Sequence, residues 1–395
     1  LEPEALRVLY FSRDYTPHDY RFLTSLAESG QEVFFLRLER AGSALDARAL
    51  PPEVRQVRWR GGQTPFQWKM LPALLVSLRG VLRTLRPQVF QAGPIQTAGF
   101  LAALSGYRPL AATSWGSDLL LDADRSSAYQ RITRYTLSRA DVLLGDCRAV
   151  ARKAADFGFP EERSFLFPWG IDLCQFSPNS APGAEGLRAR LGWQNCFVIL
   201  SLRSWEPVYG VDVLLRGFAA AYHQMRAGSD QAPPLRLLLL GNGSQAPLLH
   251  RIIEENGLRD AVHLGGRIHQ EDLPELYRAA DLYASASHSD GSSVSLMEAL
   301  GSGLPVLVSD IPGNREWVTE GQEGWLFPDG DDRALGAQIA AAVRQPELLA
   351  QMRLAARALA ERRADWKKNF QTLLAGYRFA AARSRGQKAV EEWGQ

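Results

Sequence analysis

The stretch SASHSDGSSVSLMEALGSGLPVLVSDIPGNRE, Ser285 to Glu316, sets a loop of small residues directly ahead of a helix and then returns to an apolar strand. The helix is predicted over Ser293 to Leu300 and the strand over Pro305 to Ser309. This order makes an anion cradle. Gly291, Ser292 and Ser293 leave backbone N–H groups uncovered, and the first helical turn adds unpaired donors and the positive end of its dipole. A diphosphate fits such a cradle without a metal. Glu298 follows on the same helix, where its carboxylate can accept two hydrogen bonds from a ribose diol; Asp290, at the loop entrance, is placed for sugar hydroxyls. Gly301 and Gly303 are expected to close the helix. A second turn, Pro312 to Glu316, follows the strand at its C-terminal end, the ligand side of an open parallel sheet. Helix capping alone is the competing reading of these glycines and serines.

Outward from this stretch, strands and helices alternate along the chain. Strands are predicted at Leu6–Phe11, Glu32–Leu38, Val89–Phe90, Leu110–Ser114 and Asp141–Leu144, with helices at Tyr20–Ser29, Met70–Leu85, Thr97–Leu104, Ser126–Ser138 and Val150–Phe157. The segment Asn179–Gly186, rich in Pro, Gly and Ala, reads as an exposed linker. A second series of strands begins at Cys196–Ser201 and runs to Gly324–Phe327, and the chain finishes in helices at Glu347–Arg362 and Trp366 to about Arg383. The fold class expected is therefore α/β, two Rossmann-like domains facing each other across a cleft. The domains are placed at 1–180, joined by the C-terminal helix 366–385, and at 187–365.

With 395 residues the chain exceeds the length at which a single core stops growing. A hydrophobic content of 46% with 22% charged residues excludes global disorder, and a formal net charge of +2 gives no argument for nucleic acid. Charge is uneven locally: no acidic residue lies between Glu53 and Asp118, whereas Arg55, Arg58, Arg60, Lys69, Arg79, Arg83, Arg86 and Arg108 do. Such a run suits an acidic acceptor, anionic lipid headgroups, or merely a solvated face. Cys147, Cys174 and Cys196 have no metal-ligand spacing and no even pairing, which fits a reducing compartment. Asp122-Ala-Asp124 has the spacing of a metal-binding pair, but its place after a strand reads as a capping loop. No secretory leader is read at the N-terminus, and apolar runs break before about 18 residues, so the expected location is cytoplasmic, with peripheral contact at the inner membrane face left open.

The second half resembles the retaining GT-B glycosyltransferases of family 4. The residues that carry the resemblance are Asp290, Gly291, Glu298, Ala299, Gly303-Leu-Pro-Val306, Gly313 and Glu316, with the lead-in Tyr277-Arg-Ala-Ala-Asp-Leu-Tyr283. Phe167-Pro-Trp-Gly-Ile-Asp172, Leu240-Gly-Asn-Gly243 and Leu264-Gly-Gly266 extend it over most of 165–330. In the first half, Val89–Pro94 and Trp115-Gly-Ser-Asp-Leu-Leu120 are more loosely similar to acceptor-domain segments of the family.

The resemblance implies transfer of a sugar from a UDP- or GDP-sugar, with retention, to a carbohydrate, lipid-linked or small-molecule hydroxyl, without metal or other cofactor. It implies Glu298 on the ribose, Asp290 on the donor sugar, the amides of Gly291, Ser292, Ser293 and Val294 on the diphosphate or sugar, and Glu316 in support of the nucleotide pocket. Gly241, Asn242, Gly243 and Arg267 complete the donor side. Where relatives carry Arg and, five positions later, Lys to neutralise the diphosphate, this chain has Arg203, displaced by one position, and Tyr209. Arg203 is expected to grip phosphate, Tyr209 to offer only a hydroxyl, and a salt bridge from Arg203 to Glu206 is the structural alternative. Asp290 replaces the usual Glu, and Trp115 the usual His. Catalytic roles fall to Arg203, Asp290 and Asp118; the acceptor side is assigned His18, Gly93, Trp115, Gly116, Ser117 and Asp118, and His288 is a further cleft candidate, each histidine being read at the end of a strand. The alternatives are a GT-B epimerase and a sugar-nucleotide-binding partner without turnover.

Overall fold

The computed structural model describes residues 5–40, 48–179, 184–228, 232–266, 268–384 and 386. The chain divides into two compact units, Leu1–Phe167 with Phe370–Gln395, and Pro168–Asn369. Each is a parallel α/β sheet clothed by helices, the GT-B type of architecture.

The first unit contains β1 (Arg7–Ser12), β2 (Glu32–Arg37), β3 (Arg55–Gln56), β4 (Val89–Gly93), β5 (Leu110–Thr113), β6 (Val142–Gly145) and β7 (Ser164–Leu166), in the order β3-β2-β1-β4-β5-β6-β7. Strand β1 pairs with β2 on one side and β4 on the other, so the order reverses beside it. A crevice at the carboxyl ends is the consequence. The inner strands read as unbroken apolar runs because both faces are covered; Val8, Leu9, Phe90, Ala112 and Leu143 are fully buried. The C-terminal helix Trp366–Ser384 returns to this sheet, with Gly376 pressed against Leu144 and Phe165 and the Tyr377 hydroxyl donating to Gln91.

The second unit contains β8 (Phe197–Leu202), β9 (Leu235–Leu240), β10 (Val262–Gly266), β11 (Leu282–Ser285), β12 (Val306–Ser309) and β13 (Gly324–Phe327), ordered β10-β9-β8-β11-β12-β13. Here the reversal lies between β8, which pairs with β9, and β11. Phe197, Leu215, Phe218, Leu239, Leu307 and Ile339 belong to its principal core.

Several elements differ from expectation for identifiable reasons. The first helix begins at Pro17, not Tyr20, because Thr16 and Asp19 form a reciprocal capping box. His18 therefore sits in a helical first turn, not at a strand end. Asp124 pairs with Lys153 instead of capping, and Ser126 caps the next helix through the amide of Tyr129 at 3.3 Å. The supposed turn at Pro312 is a short helix, Pro312–Arg315. Within the expected linker, Ala184–Arg190 is helical, while residues 180–183 lie outside the described residues. The passage Phe167 to Pro178 is fixed nearer its start: the amide of Ile171 donates to the carbonyl of Ala364 at 2.7 Å, and Arg357 donates to the carbonyls of Phe176 and Gly301 at 2.8 and 2.7 Å. Gly301 has this approach as its structural reason, since a Cβ there would stand 2.3 Å from Ile171; Gly303, at φ +67°, is the residue that leaves the helix.

Candidate functional site

In the second unit, the carboxyl ends of β8 and β11 lie beside one another at the strand-order reversal and deliver Arg203 and the loop 286–293 to one place. Ser293 caps the helix Val294–Gly301 by accepting from the amide of Leu296. The cradle read from the sequence is thus a real helix start of eight residues. Arg203 reaches it across the switch point. Its Nη1 donates to Ser293 Oγ at 2.6 Å and Ser295 Oγ at 3.3 Å, and its Nη2 to Asp290 Oδ2 at 2.6 Å. The guanidinium carbon stands 4.2 Å from the Tyr209 ring centroid, close enough for a cation–π contact.

The Arg203 side chain is only 10% exposed and its Nε has no hydrogen-bond partner. Burial works against its charge, but Asp290 and the neighbouring tyrosine hydroxyls outweigh that, and its pKa rises above the ordinary arginine value. The cation is therefore permanent. Glu206 is not its partner; that carboxylate accepts from the amide of Ser244 at 2.9 Å and from the Ser244 hydroxyl, which lowers its pKa.

Glu206 thereby ties the loop after β8 to the Gly241–Gly243 turn. The amide of Trp205 donates to the carbonyl of Asn242 at 3.0 Å, and a Cβ at Gly243 would meet the Trp205 carbonyl at 2.4 Å. Gly241 is required twice over, by its φ of +130° and by a 2.1 Å approach to the Arg203 carbonyl. Gly313 is required because a Cβ would fall 2.3 Å from the carbonyl oxygen of Asp290, which locks the turn after β12 onto the cradle. Arg267 lies outside the described residues.

Glu298 is buried, 3% exposed, and accepts from the Tyr277 hydroxyl at 2.8 Å. The same hydroxyl contacts the carbonyl of Ser295 at 3.1 Å, and Tyr283 bonds the Ser295 hydroxyl at 2.8 Å. Burial, then Glu298, drives the Tyr277 pKa up, so this phenol stays a donor. Tyr277, Tyr283 and Ser295 had no assigned role in the sequence; only the position of Ser295 in the first turn after Ser293 could have signalled one. Glu316 follows the helix Pro312–Arg315 and its carbonyl accepts from Arg363, whose guanidinium covers the Trp317 ring at 4.7 Å. Trp317 in turn donates to the Ser292 hydroxyl at 3.4 Å. His288 follows β11 and pairs through Nδ1 with Asp329 at 2.7 Å.

In the first unit, Gly93, Trp115, Gly116, Ser117 and Asp118 gather at the carboxyl ends of β4 and β5, next to the reversal. A Cβ at Gly93 would strike the Thr113 carbonyl at 2.4 Å. Asp118 holds this region together: Oδ1 accepts from Ser114 Oγ at 2.6 Å and from the amides of Trp115 and Leu119, both at 3.0 Å, and Oδ2 from the amide of Ile95 at 2.9 Å. Burial outweighs these donors and raises its pKa to about 6. Trp115 packs 5.8 Å from His18 and 5.6 Å from Phe22, between centroids. Burial, with Arg21 nearby, lowers the His18 pKa to about 4, leaving the ring neutral at pH 7.

Among the described residues no group of three or more His, Cys, Asp or Glu could hold a metal ion, and no helix is long and apolar enough to cross a membrane.

Two parallel sheets, each with a reversal of strand order, the second with Arg203 seated on a helix start beside it, define a GT-B-type α/β architecture. The model for glycosyl transferases group 1 matches residues 185–359, and that for the glycosyl transferase 4-like domain matches residues 19–170. The chain belongs to the GT-B-type glycosyltransferases related to group 1.

The D-inositol 3-phosphate glycosyltransferase of Geodermatophilus obscurus is 29% identical over 62% of this chain and 54% of its own length. The UDP-N-acetylglucosamine–peptide N-acetylglucosaminyltransferase GtfA subunit of Streptococcus gordonii is 39% identical over 29% of this chain and 22% of its own. The matches thus span about half or less of these relatives' length. Among solved structures, Anabaena HepE in complex with UDP-glucose superposes with a TM-score of 0.76 at 21% identity, over 93% of this chain and all of that one (100%). Sucrose-phosphate synthase of Thermosynechococcus elongatus gives 0.77 at 18% identity, over 94% and 98%.

Proposed function

We propose that the chain is a retaining glycosyltransferase that moves a sugar from a UDP- or GDP-sugar to a hydroxyl acceptor in glycan, polysaccharide or glycolipid biosynthesis. The observation that carries this reading is the permanent cation of Arg203 seated on Ser293 and Ser295 at the helix start, where its charge and the helix amides converge. The complexes of HepE with UDP-glucose and of pneumococcal GtfA with UDP and GlcNAc favour the uridine series.

In this reading the diphosphate displaces Asp290 from Arg203 and takes the fork bidentately, freeing the Asp290 carboxylate for the donor sugar. Glu298, aligned by Tyr277, takes the ribose diol, and the Gly241–Gly243 turn and Glu316 wall the nucleotide. The acceptor oxygen bonds to the anomeric carbon on the face from which the phosphate oxygen leaves, and the acceptor proton passes to that departing oxygen. Catalysis then consists of stabilising the leaving charge and orienting the acceptor. The first unit takes the acceptor, a carbohydrate, lipid-linked or small molecule, beside His18, Gly93 and the loop Trp115-Gly116-Ser117. Asp118 shapes that loop. Peripheral contact with an anionic membrane belongs to the same proposal and is supported by the acid-free basic run between Glu53 and Asp118.

A thermal-shift panel of UDP, GDP, ADP and their sugars tests the donor assignment. One series is expected to stabilise the protein by about 2.7 kcal/mol at a hundredfold excess over Kd, and Glu298→Ala to weaken that shift. No response to any nucleotide, or an unchanged response in Glu298→Ala, overturns the assignment. Donor hydrolysis or sugar transfer by the same preparation separates an enzyme from a binding module.

A further inference from the structure

The helix Leu71–Leu85 carries two opposed stripes. Leu74, Leu78 and Leu82 are buried against the first unit's core, at the spacing expected of one helical face. Opposite them, Trp68 in the preceding 3-10 turn, Pro72, Val76, Arg79 and Arg83 are all exposed. Val76 is 70% exposed and Trp68 46%. The apolar patch does not stop at this helix. Trp68 stands 6.2 Å from Phe100, and Phe100 stands 5.8 Å from Tyr135 on the helix Ser127–Arg139, itself 39% exposed.

Cations frame this ribbon on both sides. Lys69 in the 3-10 turn and Arg83 on the helix after it flank it on one side, Arg131 and Arg134 on the other, all exposed. None of the four has an ion-pair partner among the described residues. The helix Ser127–Arg139 also lies in an acid-free stretch, between Asp124 and Asp141, so both helices lack counter-charges of their own. Beside the end of the first stripe is a hollow of about 230 Å³ lined by Arg79, Arg83, Ser105 and Tyr107. Arg79 is engaged there with the carbonyls of Leu104 and Ser105 at 3.0 and 3.2 Å, which leaves Arg83 as the cation available to a phosphate.

We propose that this two-helix face docks the chain on an anionic lipid bilayer, with Trp68, Val76 and Tyr135 at the headgroup boundary and Lys69, Arg83, Arg131 and Arg134 on lipid phosphates. The inference deepens the membrane-contact reading by giving it a surface. Charge alone would suit nucleic acid or an acidic protein, but neither supplies an apolar medium for Val76 and Trp68; a bilayer interface supplies both. A second copy of the chain would bring one acid-free cationic face against another, which is repulsive.

Flotation of the full chain with vesicles of phosphatidylcholine alone, and with roughly a third phosphatidylglycerol, tests the face. Binding is expected only to the anionic vesicles and should weaken with salt. Lys69→Ala with Arg83→Ala should bind about 25-fold more weakly, at about fivefold per cation. Trp68→Ser with Val76→Ser should bind about tenfold more weakly. Unchanged ligand-free thermal unfolding midpoints in both double variants show that they fold. If the unsubstituted chain binds neither vesicle, membrane contact itself is refuted. Equal binding by the chain and both double variants refutes this face and places contact elsewhere. Loss confined to the cation variant means adsorption by charge alone, which also overturns the proposal, and a dimer in lipid-free buffer that both double variants dissolve would replace the bilayer with a second copy. All these outcomes leave the sugar-nucleotide assignment standing, because none reads nucleotide binding by the unsubstituted chain.

Discussion

The two strand-order reversals of this molecule place polar residues at the same topological point and use them in opposite ways. In the second unit, Arg203 and Asp290 neutralise each other through a single ion pair that a phosphate can replace, and the Asp290 side chain retains 20% exposure. In the first unit, Asp118 is 3% exposed and both carboxylate oxygens already accept from three amides and a hydroxyl. An exchangeable pair is what the proposed ligand contact requires, whereas saturated pairing suits a residue that shapes a loop. Identical position in a fold therefore does not confer identical work.

The strongest way to break this contrast is at Arg203. Arg203→Ala removes the cation and leaves Asp290 as an uncompensated carboxylate at the cradle. Transfer should fall about 10²- to 10³-fold, the scale for losing one donor to a developing oxyanion, and nucleotide stabilisation should shrink with it. Arg203→Lys keeps charge but loses the fork between Ser293 and Asp290, so it should recover only part of the rate. Steady-state kinetics with the best-binding sugar nucleotide decide the matter. Activity within a few-fold of the parent in Arg203→Ala would remove Arg203 from the machinery.

Much of the second unit's site was legible in its sequence, and the reason is local. Ser293 as a helix cap, the small residues before it and Glu298 on the same helix depend on residues a few positions apart. The pairing of Arg203 with Asp290 spans 87 positions, and nothing nearby encodes it. That is why Glu206, three residues away, stood as the competing partner although its carboxylate serves Ser244. The contact of Gly313 with the Asp290 carbonyl is invisible for the same reason. In the first unit, Thr16 and Asp19 form a capping box whose signal was present but shorter than the usual Glu or Gln version, which moved His18 from a strand end into a helix. Strand β7, three residues long, is too short to show a period.

A smaller effect sharpens the comparison through pH. Asp118 binds its proton more tightly in the folded chain, at about 6, than when unfolded, so its contribution to stability is full below its unfolded pKa near 4 and is lost as pH rises through about 6. His18 has the opposite sign: its folded pKa of about 4 lies below the unfolded value near 6.5, so its contribution is present above about 6.5 and is lost as pH falls through about 4. The two oppose each other between these limits, each amounting to about 3 kcal/mol at about 1.4 kcal/mol per pKa unit. Relative to the parent, His18→Gln should gain stability on acidification from pH 6.5 to 4, and Asp118→Asn should lose it. Thermal unfolding of the three proteins across that range measures the difference. Parallel curves would show that these groups do not sense the folded state.

The finest distinction concerns Tyr209, at the position where the family resemblance implies a second cation and this chain has a ring lying 4.2 Å from the Arg203 guanidinium. A phenol cannot neutralise a diphosphate, but a π face can hold the one arginine in place while its partner changes from Asp290 to phosphate. The ring, not the hydroxyl, is then the working part. Tyr209→Phe should keep nucleotide affinity within about twofold, whereas Tyr209→Leu should lose about 0.5–1 kcal/mol, or two- to fivefold. Calorimetric titration with the preferred nucleoside diphosphate resolves differences of that size. Equal losses in both variants would assign the effect to the hydroxyl, and Tyr209 would then touch the ligand directly instead of positioning Arg203.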